Sequence, residues 1–328
     1  MEIGKISESV LKRSVIKQLH TKRDEVTRAS SVGVDCGSVC LAPDEEFVVT
    51  TDPITGTVAD IGKLAVTVAT NDLATAGAEP VGILLTILLT PRMREAKLKA
   101  IMEQVEECCK KYNVQVIGGH TEVTEAVNQP IISITAVGKI KKGKMICASS
   151  ATAGMDIVLT KWIGLEGTSI IAKEHEQELL QKLPASLIKT ACDFDQYLSV
   201  LPESRIAVEH GVAAMHDVTE GGIFGALWEV AEASKIGLDV DLKAIPVKQE
   251  TIEICEFFGI NPYELVSSGA MLIVTADGNG LVRKLTEAGV ASAVIGKSNS
   301  SNDKRIINGD EVRFLEPPKS DALYSVNK

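Results

Sequence analysis

The chain has 328 residues, of which 45% are hydrophobic and 24% charged. These proportions are typical of a soluble globular protein, and the length suffices for one large domain or two ordinary ones. The net charge of −10 argues against a nucleic-acid backbone as the main partner, because proteins that bind it present basic patches. Anionic small ligands remain compatible with this charge, since a metal ion can bridge them to carboxylates.

Two features of the sequence bear on the cellular compartment. The N-terminal segment contains no apolar signal core, and the longest apolar run, at 81–89, is far shorter than the roughly 20 residues of a membrane helix. The seven cysteines are an odd number without CxxC spacing, which argues against a disulfide framework or a zinc ribbon. We therefore expect a cytoplasmic protein that does not associate with membranes.

The first half of the chain mixes strands and helices around one predicted core. Asp60 is a plausible N-cap of its first helix, and the adjacent cysteines Cys108 and Cys109 lie on an amphipathic helix, where we expect a structural role. The predicted elements are a strand at 47–53 with Asp52 at its end, a helix at 60–77, a buried strand at 81–89, a helix at 94–112, a strand at 114–123 broken by a glycine pair, and a strand at 131–140.

The polar, glycine-containing stretch at 141–156 is the best candidate for a domain boundary. After it, strands and helices alternate, and the tail is predicted to form a hairpin around Asn308 and Gly309. The predicted elements are a strand at 157–160, a glycine turn at 162–169, a helical region at 185–210, a short strand, polar turn and helix at 213–234, strands at 237–242, 270–276 and 291–297, and helices at 248–258 and 280–289.

Four aspartates lie where an apolar element ends or is interrupted: Asp35, Asp52, Asp72 and Asp217. Asp72 is the most unusual, because it stands inside an apolar helix, where a buried charge without a partner is costly. Carboxylates near glycine-rich turns are a common way to hold Mg²⁺ against phosphate groups, since hard oxygen ligands suit this ion. Asp72 therefore faces either a solvent-filled cleft or a cation.

Structural explanations remain open at each of these positions. A lone aspartate at the end of a strand is often a turn former or a cap. The sequence Gly118-Gly119-His120 is compatible with a simple tight turn, and His120 with a core histidine whose hydrogen bonds are satisfied. Neither a Walker A sequence nor a GxGxxG following a strand is present.

The order of the motifs resembles that of the aminoimidazole ribonucleotide (AIR) synthetase, or PurM-like, superfamily. The resemblance covers most of the chain, from about 31 to 297, and looks closest to the hydrogenase-maturation, HypE-like branch. The matching sequences are TTDP followed by DIGKLAVTVATNDLATAGAEP, then VIGGHTEV, HDVTEGGIFGALWEVAEAS, GLDVDLKAIPV and GINPYELVSSGAMLIV.

The resemblance implies a mixed α/β (α+β) subunit with two PurM-like domains, at 1–145 and 150–328. The N-terminal domain would bind ATP and Mg²⁺ and dimerise, its sheet forming a barrel between two subunits, and the C-terminal domain would be α/β. The implied partners are a second copy of the chain and an unidentified small-molecule substrate, without nucleic acid or membrane.

The resemblance also implies roles for individual residues. The implied metal ligands are Asp35, Asp52, Asp72 and Asp217, the last supplied by the second domain. The implied contacts to the nucleotide phosphates, or to the loops that hold them, are Lys63, Asn71, Gly118, Gly119 and Thr121. The implied catalytic residues are Asp72, Asp217 and His120.

Three departures from the family pattern limit what the resemblance implies. Asp35 is followed by Cys36, where many members have a second aspartate, and His120 stands where hydrogenase-maturation proteins usually have aspartate. The hydrogenase-maturation branch also ends in a cysteine that carries the substrate group, whereas this tail reads DALYSVNK and the last cysteine is Cys255. We therefore expect that the tail is not carbamoylated and that residues 320–328 can be removed without loss of ATP binding.

Two functional hypotheses follow. The first is an ATP- and Mg²⁺-dependent enzyme that activates a substrate oxygen by phosphoryl transfer, with a small molecule as substrate because the self-substrate tail is missing. The alternative is a non-catalytic, nucleotide-binding homodimer that acts as a maturation partner or a sensor.

Overall fold

The computed structural model describes residues 1–55 and 59–326, which form two compact units that divide between Met145 and Ile146. Each unit combines a β-sheet with helices. The expected mixed α/β fold is confirmed.

The first unit is built on a five-stranded sheet with the order β1-β6-β5-β7-β4, in which β5 and β6 are parallel and the other neighbours antiparallel. Helices α2 and α3 pack against each other, and α2 also contacts β4, β5 and β7. The elements are β1 (Gly4–Lys5), α1 (Glu8–Val10), β2 (Val26–Arg28), β3 (Ser38–Val39), β4 (Glu45–Ile54), α2 (Ile61–Thr75), β5 (Glu79–Leu89), α3 (Glu95–Tyr112), β6 (Gln115–Val123) and β7 (Ile131–Lys141).

The helices and the central strand of this unit agree with the sequence predictions. Asp60 is the N-cap residue of α2, although its side chain makes no capping hydrogen bond. Helix α3 ends at Asn113 in the left-handed conformation, and Lys110 and Lys111 in its last turn complement the helix dipole. Cys108 and Cys109 belong to α3 and are buried, as expected for a structural role.

Two strands of this unit differ from the predictions. Strand β4 does not end at Asp52 but continues through Pro53 to Ile54. Among the described strands β4 lies at the edge of its sheet, where a proline without an N–H group is tolerated. Strand β6 is not broken by its glycine pair, because a bulge at Ile117 shifts the register and lets pairing with β5 continue through Gly118 and Gly119.

The segment after α1 covers part of α3. It continues as a π-helical turn (Leu11–Val15) and a 3₁₀ turn (Ile16–Gln18). Arg13 and Ser14 both donate to Glu95 at the start of α3, and Thr21 donates to Glu106 in the same helix at 2.8 Å. These polar contacts fix the N-terminal segment on the first unit.

The second unit is built on a seven-stranded sheet with the order β14-β13-β10-β12-β8-β11-β9. Only β10 and β13 are parallel neighbours among the described strands of this sheet. The elements are β8 (Asp156–Thr160), α4 (Leu165–Glu174), α5 (Glu176–Leu179), α6 (Ala185–Cys192), α7 (Leu201–His210), β9 (Ala214–Asp217), α8 (Gly222–Ser234), β10 (Gly237–Asp241), α9 (Gln249–Phe258), β11 (Met271–Thr275), α10 (Gly278–Glu287), β12 (Ser292–Asn299), β13 (Lys304–Asn308) and β14 (Glu311–Phe314).

The expected glycine turn at 162–169 is only partly correct. Gly164 adopts the left-handed conformation with φ of 71° and opens α4, so most of this stretch is helical. A side chain at Gly164 or Gly167 would collide with Thr251 or Leu265, so these glycines let α4 approach its neighbours closely. The hairpin at Asn308-Gly309 is confirmed as the turn between β13 and β14.

Two further observations concern cysteines and apolar helices. The seven cysteines are free thiols, and burial raises the pKa of Cys108, Cys109 and Cys255.

Within residues 1–55 and 59–326, each helix is too short or too polar to cross a membrane.

Candidate functional site

Asp52 and Asp72 lie on the same side of the sheet in the first unit. The hydroxyl group of Thr50 in β4 donates a 2.5 Å hydrogen bond to Asp72 Oδ2 in α2. Asp52 is two residues beyond Thr50 and therefore points to the same face of β4. The structure thus brings these two predicted metal ligands to the interface between β4 and α2.

The environment of Asp52 differs from that of an ordinary turn former. Its Oδ2 atom is buried and has no hydrogen-bond partner among the described residues. An unsatisfied buried oxygen of a carboxylate is costly, unlike an exposed one. The explanation of Asp52 as a simple end-of-strand turn former is therefore wrong.

Lys63 and Asn71 also lie on α2, but the structure does not gather them at one point. Lys63 pairs with Glu107 of α3 at 3.6 Å, and it precedes Asp72 by about two and a half helical turns, or about 13 Å along the axis. The two side chains therefore emerge on opposite sides of α2. Asn71, next to Asp72, is fully buried.

A second group of predicted residues lines a cavity of about 530 Å³ at the other side of the first unit. Its polar part comes from the loop after β2 and from β6, and its apolar part from the N-terminal segment and from Leu85, Ile87 and Met102. The predicted site residues in its wall are Asp35, Gly118, Gly119, His120 and Thr121.

The glycine pair in β6 lies in the wall of this cavity, at positions that leave no room for a larger side chain. Gly119 has φ of 153°, and a Cβ atom there would lie 2.1 Å from the carbonyl oxygen of Leu85. A Cβ atom on Gly118 would lie 3.2 Å from Ser30 Oγ. Both positions therefore let neighbouring backbone or a ligand approach closely.

His120 is neither part of a tight turn nor a core histidine. It lies within β6, its side chain is 44% exposed, and its Nε2 atom is 3.2 Å from Glu122 Oε2. Both structural explanations considered for His120 are therefore wrong, and an accessible imidazole stands in the cavity wall.

The aspartates Asp52 and Asp72 and the residues of the cavity wall are related by the register of the sheet. Pairing runs from Asp52 to Ile134, from Ile134 to Leu85, and from Leu85 to Gly119. Three strand spacings place Asp52 and Gly119 about 14 Å apart. Over residues 1–55 and 59–326, no group of three or more His, Cys, Asp or Glu side chains is arranged to hold a metal ion.

Asp217 ends β9 in the second unit and is buried. The turn after it contains two consecutive glycines in positive-φ conformations, Gly221 at 83° and Gly222 at 62°. The neighbouring His216 is 3.2 Å from Glu229. Burial alone would lower the pKa of His216, but the bonds to Glu229 and to the Asp217 backbone raise it.

Glu166 is a carboxylate near Asp217 that sequence reasoning missed. It lies in the first turn of α4 and is 8% exposed. Burial raises its pKa to about 7, against a hydrogen bond from Ser268, and the charges of Asp321, Asp217 and Glu220 add to the increase. The signal available in the sequence was a glutamate within the glycine-rich stretch at 162–169.

Thr50 and the apolar N-terminal segment were also missed. Thr50 could have been recognised because strand alternation places it on the face of Asp52. Leu11, Val15 and Leu19, which line the cavity, follow helical spacing in the sequence.

Two family models match the chain: the N-terminal domain of AIR synthase related proteins at 33–140, and their C-terminal domain at 152–308. The chain belongs to the AIR synthase-related family. The predicted membership of the AIR synthetase (PurM-like) superfamily is therefore confirmed.

Relatives of this AIR synthase-related protein include hydrogenase-maturation proteins. It is 29% identical over 286 residues to a protein of Methanocaldococcus jannaschii provisionally named for hydrogenase expression and formation, a match over 82% of this chain and 79% of that one. It is 29% identical over 219 residues to carbamoyl dehydratase HypE of Cupriavidus necator, over 66% of this chain and 60% of that one.

Solved structures establish the two-domain PurM-like fold of this family member. HypE in complex with ATP matches with a TM-score of 0.80 at 19% identity, over 98% of this chain and 97% of that one. Thiamine-monophosphate kinase of Stenotrophomonas maltophilia matches with a TM-score of 0.74 at 18% identity, over 94% and 99%.

A further structural match concerns protein partners. The HypE–HypF complex matches with a TM-score of 0.72 at 22% identity, over 83% of this chain and 90% of that one. That HypE binds a different protein, so our expectation that named a second copy as the only protein partner is too narrow for this fold.

Proposed function

We propose that this chain is an ATP- and Mg²⁺-dependent enzyme that transfers the γ-phosphoryl group of ATP to an oxygen atom of a small-molecule substrate. The single observation that carries the proposal is the pair of carboxylates Asp52 and Asp72 on one side of the sheet, where Thr50, two residues before Asp52, donates to Asp72. Support comes from the family membership and from a structural neighbour that is a HypE in complex with ATP.

The carboxylate pair fits Mg²⁺. Proteins commonly hold this ion with one or two carboxylates while phosphate oxygens and water complete its octahedral shell. The buried Oδ2 atom of Asp52 has no hydrogen-bond partner among the described residues, so a cation there would compensate its charge. When bound, Mg²⁺ neutralises charge on the transferred phosphates; Asp52 and Asp72 would hold it, and the roles of Asp35 and Asp217 as further ligands rest on the family resemblance alone.

The cavity in the first unit would accept part of the nucleotide. Its volume of about 530 Å³ lies in the range of small-ligand sites. Gly118, Gly119 and Thr121 line it, and at the two glycines backbone N–H groups can bind phosphate oxygens because no side chain intervenes. Lys63 and Asn71 would then contribute indirectly, by fixing the position of α2. His120 would move or donate a proton at the cavity wall.

The substrate is proposed to be a small molecule. Cys255 does not suit the role of an internal acceptor, because it is buried in α9 and burial raises the pKa of its thiol to about 12, which makes it a poor nucleophile. Thiamine-monophosphate kinase, whose name describes phosphoryl transfer to a small molecule, shares the fold. We place this ATP-consuming reaction in the cytoplasm and assign the active form to a homodimer.

A non-catalytic role is the second candidate, favoured by one observation. A structural neighbour forms a complex with HypF, so a chain of this fold can act through a protein partner. In that case the chain would bind nucleotide without turnover and would affect the activity of its partner.

ADP release distinguishes the two candidates. We expect release by the wild-type chain with ATP, Mg²⁺ and a panel of small phosphate acceptors, and expect EDTA to abolish it. Calorimetry on the same samples measures ATP binding. Nucleotide binding without ADP release across the panel would support the partner role, and absence of Mg²⁺-dependent binding would overturn both candidates.

A further inference from the structure

The chain ends in a segment that crosses the second unit, which we call the C-terminal strap and define as residues 315–326. At its start, the Leu315 N–H group donates to the Lys304 carbonyl group at 2.8 Å. Further along, Pro318 lies over the first turn of α8, where Cβ atoms on Gly221 and Gly225 would be 3.4 and 3.7 Å from its own Cβ. The strap is thus packed on the helix that follows Asp217.

Asp321 is the main polar anchor of the strap. It is only 2% exposed, and its Oδ2 atom accepts from the Gly221 N–H group at 2.7 Å. Its Oδ1 atom accepts from the N–H groups of Val266 at 3.2 Å and Leu323 at 2.9 Å. One carboxylate therefore ties together the strap, the turn before α8 and the segment before β11.

Two further contacts hold the strap in place. Ala322 is buried in the core formed by α4, α6 and α9, and Leu323 and Val326 pack against the same core. Tyr324 forms a hydrogen bond with Glu220, which raises the pKa of its phenol to about 12. The strap therefore reaches Glu220 and Gly221, two adjacent residues of the turn that begins at Asp217.

The first end of the turn from Asp217 to Gly222 is held by β11. Asp217 pairs with Met271 in the ladder between β9 and β11, and Val218 donates to the Ala270 carbonyl group at 3.0 Å. Gly221 and Gly222, at the other end, both have positive φ, and fixing a glycine backbone costs much conformational entropy. By holding Gly221 from outside, Asp321 restrains this second end and so limits how far the turn that carries Asp217 can shift.

We propose that the C-terminal strap positions Asp217, with Asp321 as the positioning residue that holds the turn from Asp217 to Gly222. This inference rests on the proposed function, in which the family resemblance makes Asp217 one of the residues that serve the reaction. Deletion of residues 320–328 would take away Asp321 and the buried Ala322, so by this inference it would lower kcat even where ATP binding is retained.

The test compares Asp321→Asn with a matched control, Asp277→Asn, in the full chain. Asparagine keeps one acceptor oxygen, so it cannot serve both Gly221 and Val266. Asp277 is an equivalent control because it also accepts from a glycine N–H group, that of Gly280 at 2.8 Å, at the start of α10. Readouts are hydrogen exchange of residues 218–222, thermal stability, and kcat and KM for ATP.

For Asp321→Asn we expect at least tenfold faster exchange at 218–222 and at least a tenfold lower kcat, with KM for ATP changed less than twofold. For Asp277→Asn we expect faster exchange confined to the start of α10 and an unchanged kcat. If Asp321→Asn does not fold, Tyr324→Phe, which removes only the bond to Glu220, should give the same pattern with smaller changes.

Unchanged exchange at 218–222 would overturn the proposal. So would faster exchange with a kcat no lower than that of Asp277→Asn, because Asp321 would then be merely structural. Failure of the proposed function would give a different result from failure of this inference. The wild-type chain itself would then lack turnover, while the difference in hydrogen exchange between Asp321→Asn and wild type would persist.

Discussion

At the scale of single residues, Asp72 shows how a charge is tolerated within an apolar helix. Its neighbours in α2, such as Leu73 and Ala74, are fully buried, whereas Asp72 turns toward β4 and accepts from Thr50. A neutral hydroxyl donor leaves the charge of the carboxylate in place, whereas a cation neutralises it. This difference is the physical reason to expect a cation there.

Asp72→Asn should weaken binding of ATP in the presence of Mg²⁺ by about tenfold or more, because a charge-assisted contact contributes about 1.5–3 kcal/mol. The fold should survive, since asparagine has nearly the same shape. Calorimetry checks the affinity, with Asp44→Asn as a control at an exposed aspartate of the same unit that pairs with Lys141. Unchanged affinity in folded Asp72→Asn would make Asp72 a structural residue.

Glu166 should make the stability of the second unit depend on pH. Its pKa is raised to about 7 in the folded protein from 4.5, so the folded state holds the proton more tightly and loses stability as pH rises from about 4.5 to 7. Glu166→Gln should therefore be more stable than wild type at pH 8, by on the order of 3 kcal/mol, and similar to it at pH 4.5.

Urea unfolding at both pH values in EDTA measures this difference. Glu209→Gln, at an exposed position of α7, is the control and should leave the pH dependence of wild type unchanged. An equal effect of Glu166→Gln at pH 4.5 and pH 8 would contradict the prediction.

At the scale of elements, the glycine pair of β6 decides how closely β6 can pair with β5 beside the cavity in the first unit. The bulge at Ile117 and the approach of Leu85 to Gly119 both depend on the absence of a side chain. Gly82 in β5 makes room for Ile117 in the same way, since a Cβ atom there would lie 2.4 Å from its Cδ1 atom.

Gly119→Ala should destabilise the protein by about 1–3 kcal/mol from backbone strain and by more from the collision with the Leu85 carbonyl group. Gly143→Ala is the matched control, because Gly143 also has positive φ, 71°, but a Cβ atom there would meet no other part of the described chain within 4 Å. It should cost only about 1 kcal/mol. Chemical unfolding of both variants tests the difference, and equal losses would show that the collision is relieved.

The elements themselves were largely predictable, because apolar periodicity and caps are local properties of the sequence. The buried run at 81–89 and the turn at Asn308-Gly309 are examples. Continuation of β4 past Pro53 could not be predicted, since it depends on β4 lying at the sheet edge. The separation of Lys63 from Asp72 also depends on tertiary structure, because only α3 and β4 reveal which face of α2 each residue uses.

At the scale of the whole molecule, the sheet of the first unit leaves an apolar face open to solvent. Its exposed residues include Phe47 and Val49 in β4 and Leu84 in β5. They alternate with residues that face α2, so they belong to the face opposite the helices. Several exposed apolar side chains on one face of a sheet are typical of an interface.

The protein should sediment as a dimer of twice the 35.0 kDa of one chain at micromolar concentration. Val49→Asp should shift it to the monomer, because a charge at a position that is 65% exposed in the single chain would be buried between two copies. Val312→Asp, at a 52% exposed valine of the second unit, should leave the dimer intact. A wild-type monomer in this experiment would contradict the prediction.

The C-terminal strap also has a consequence for the order of folding during synthesis. Asp321 and Ala322 follow every described strand of the second unit along the chain, yet they hold the turn before α8 and fill the core formed by α4, α6 and α9. The first unit contains all of its own described strands by residue 141 and can fold while translation continues. The second unit cannot complete its core before residue 322 has emerged, so nascent chains stalled before that point should resist protease in the first unit but not yet in the second.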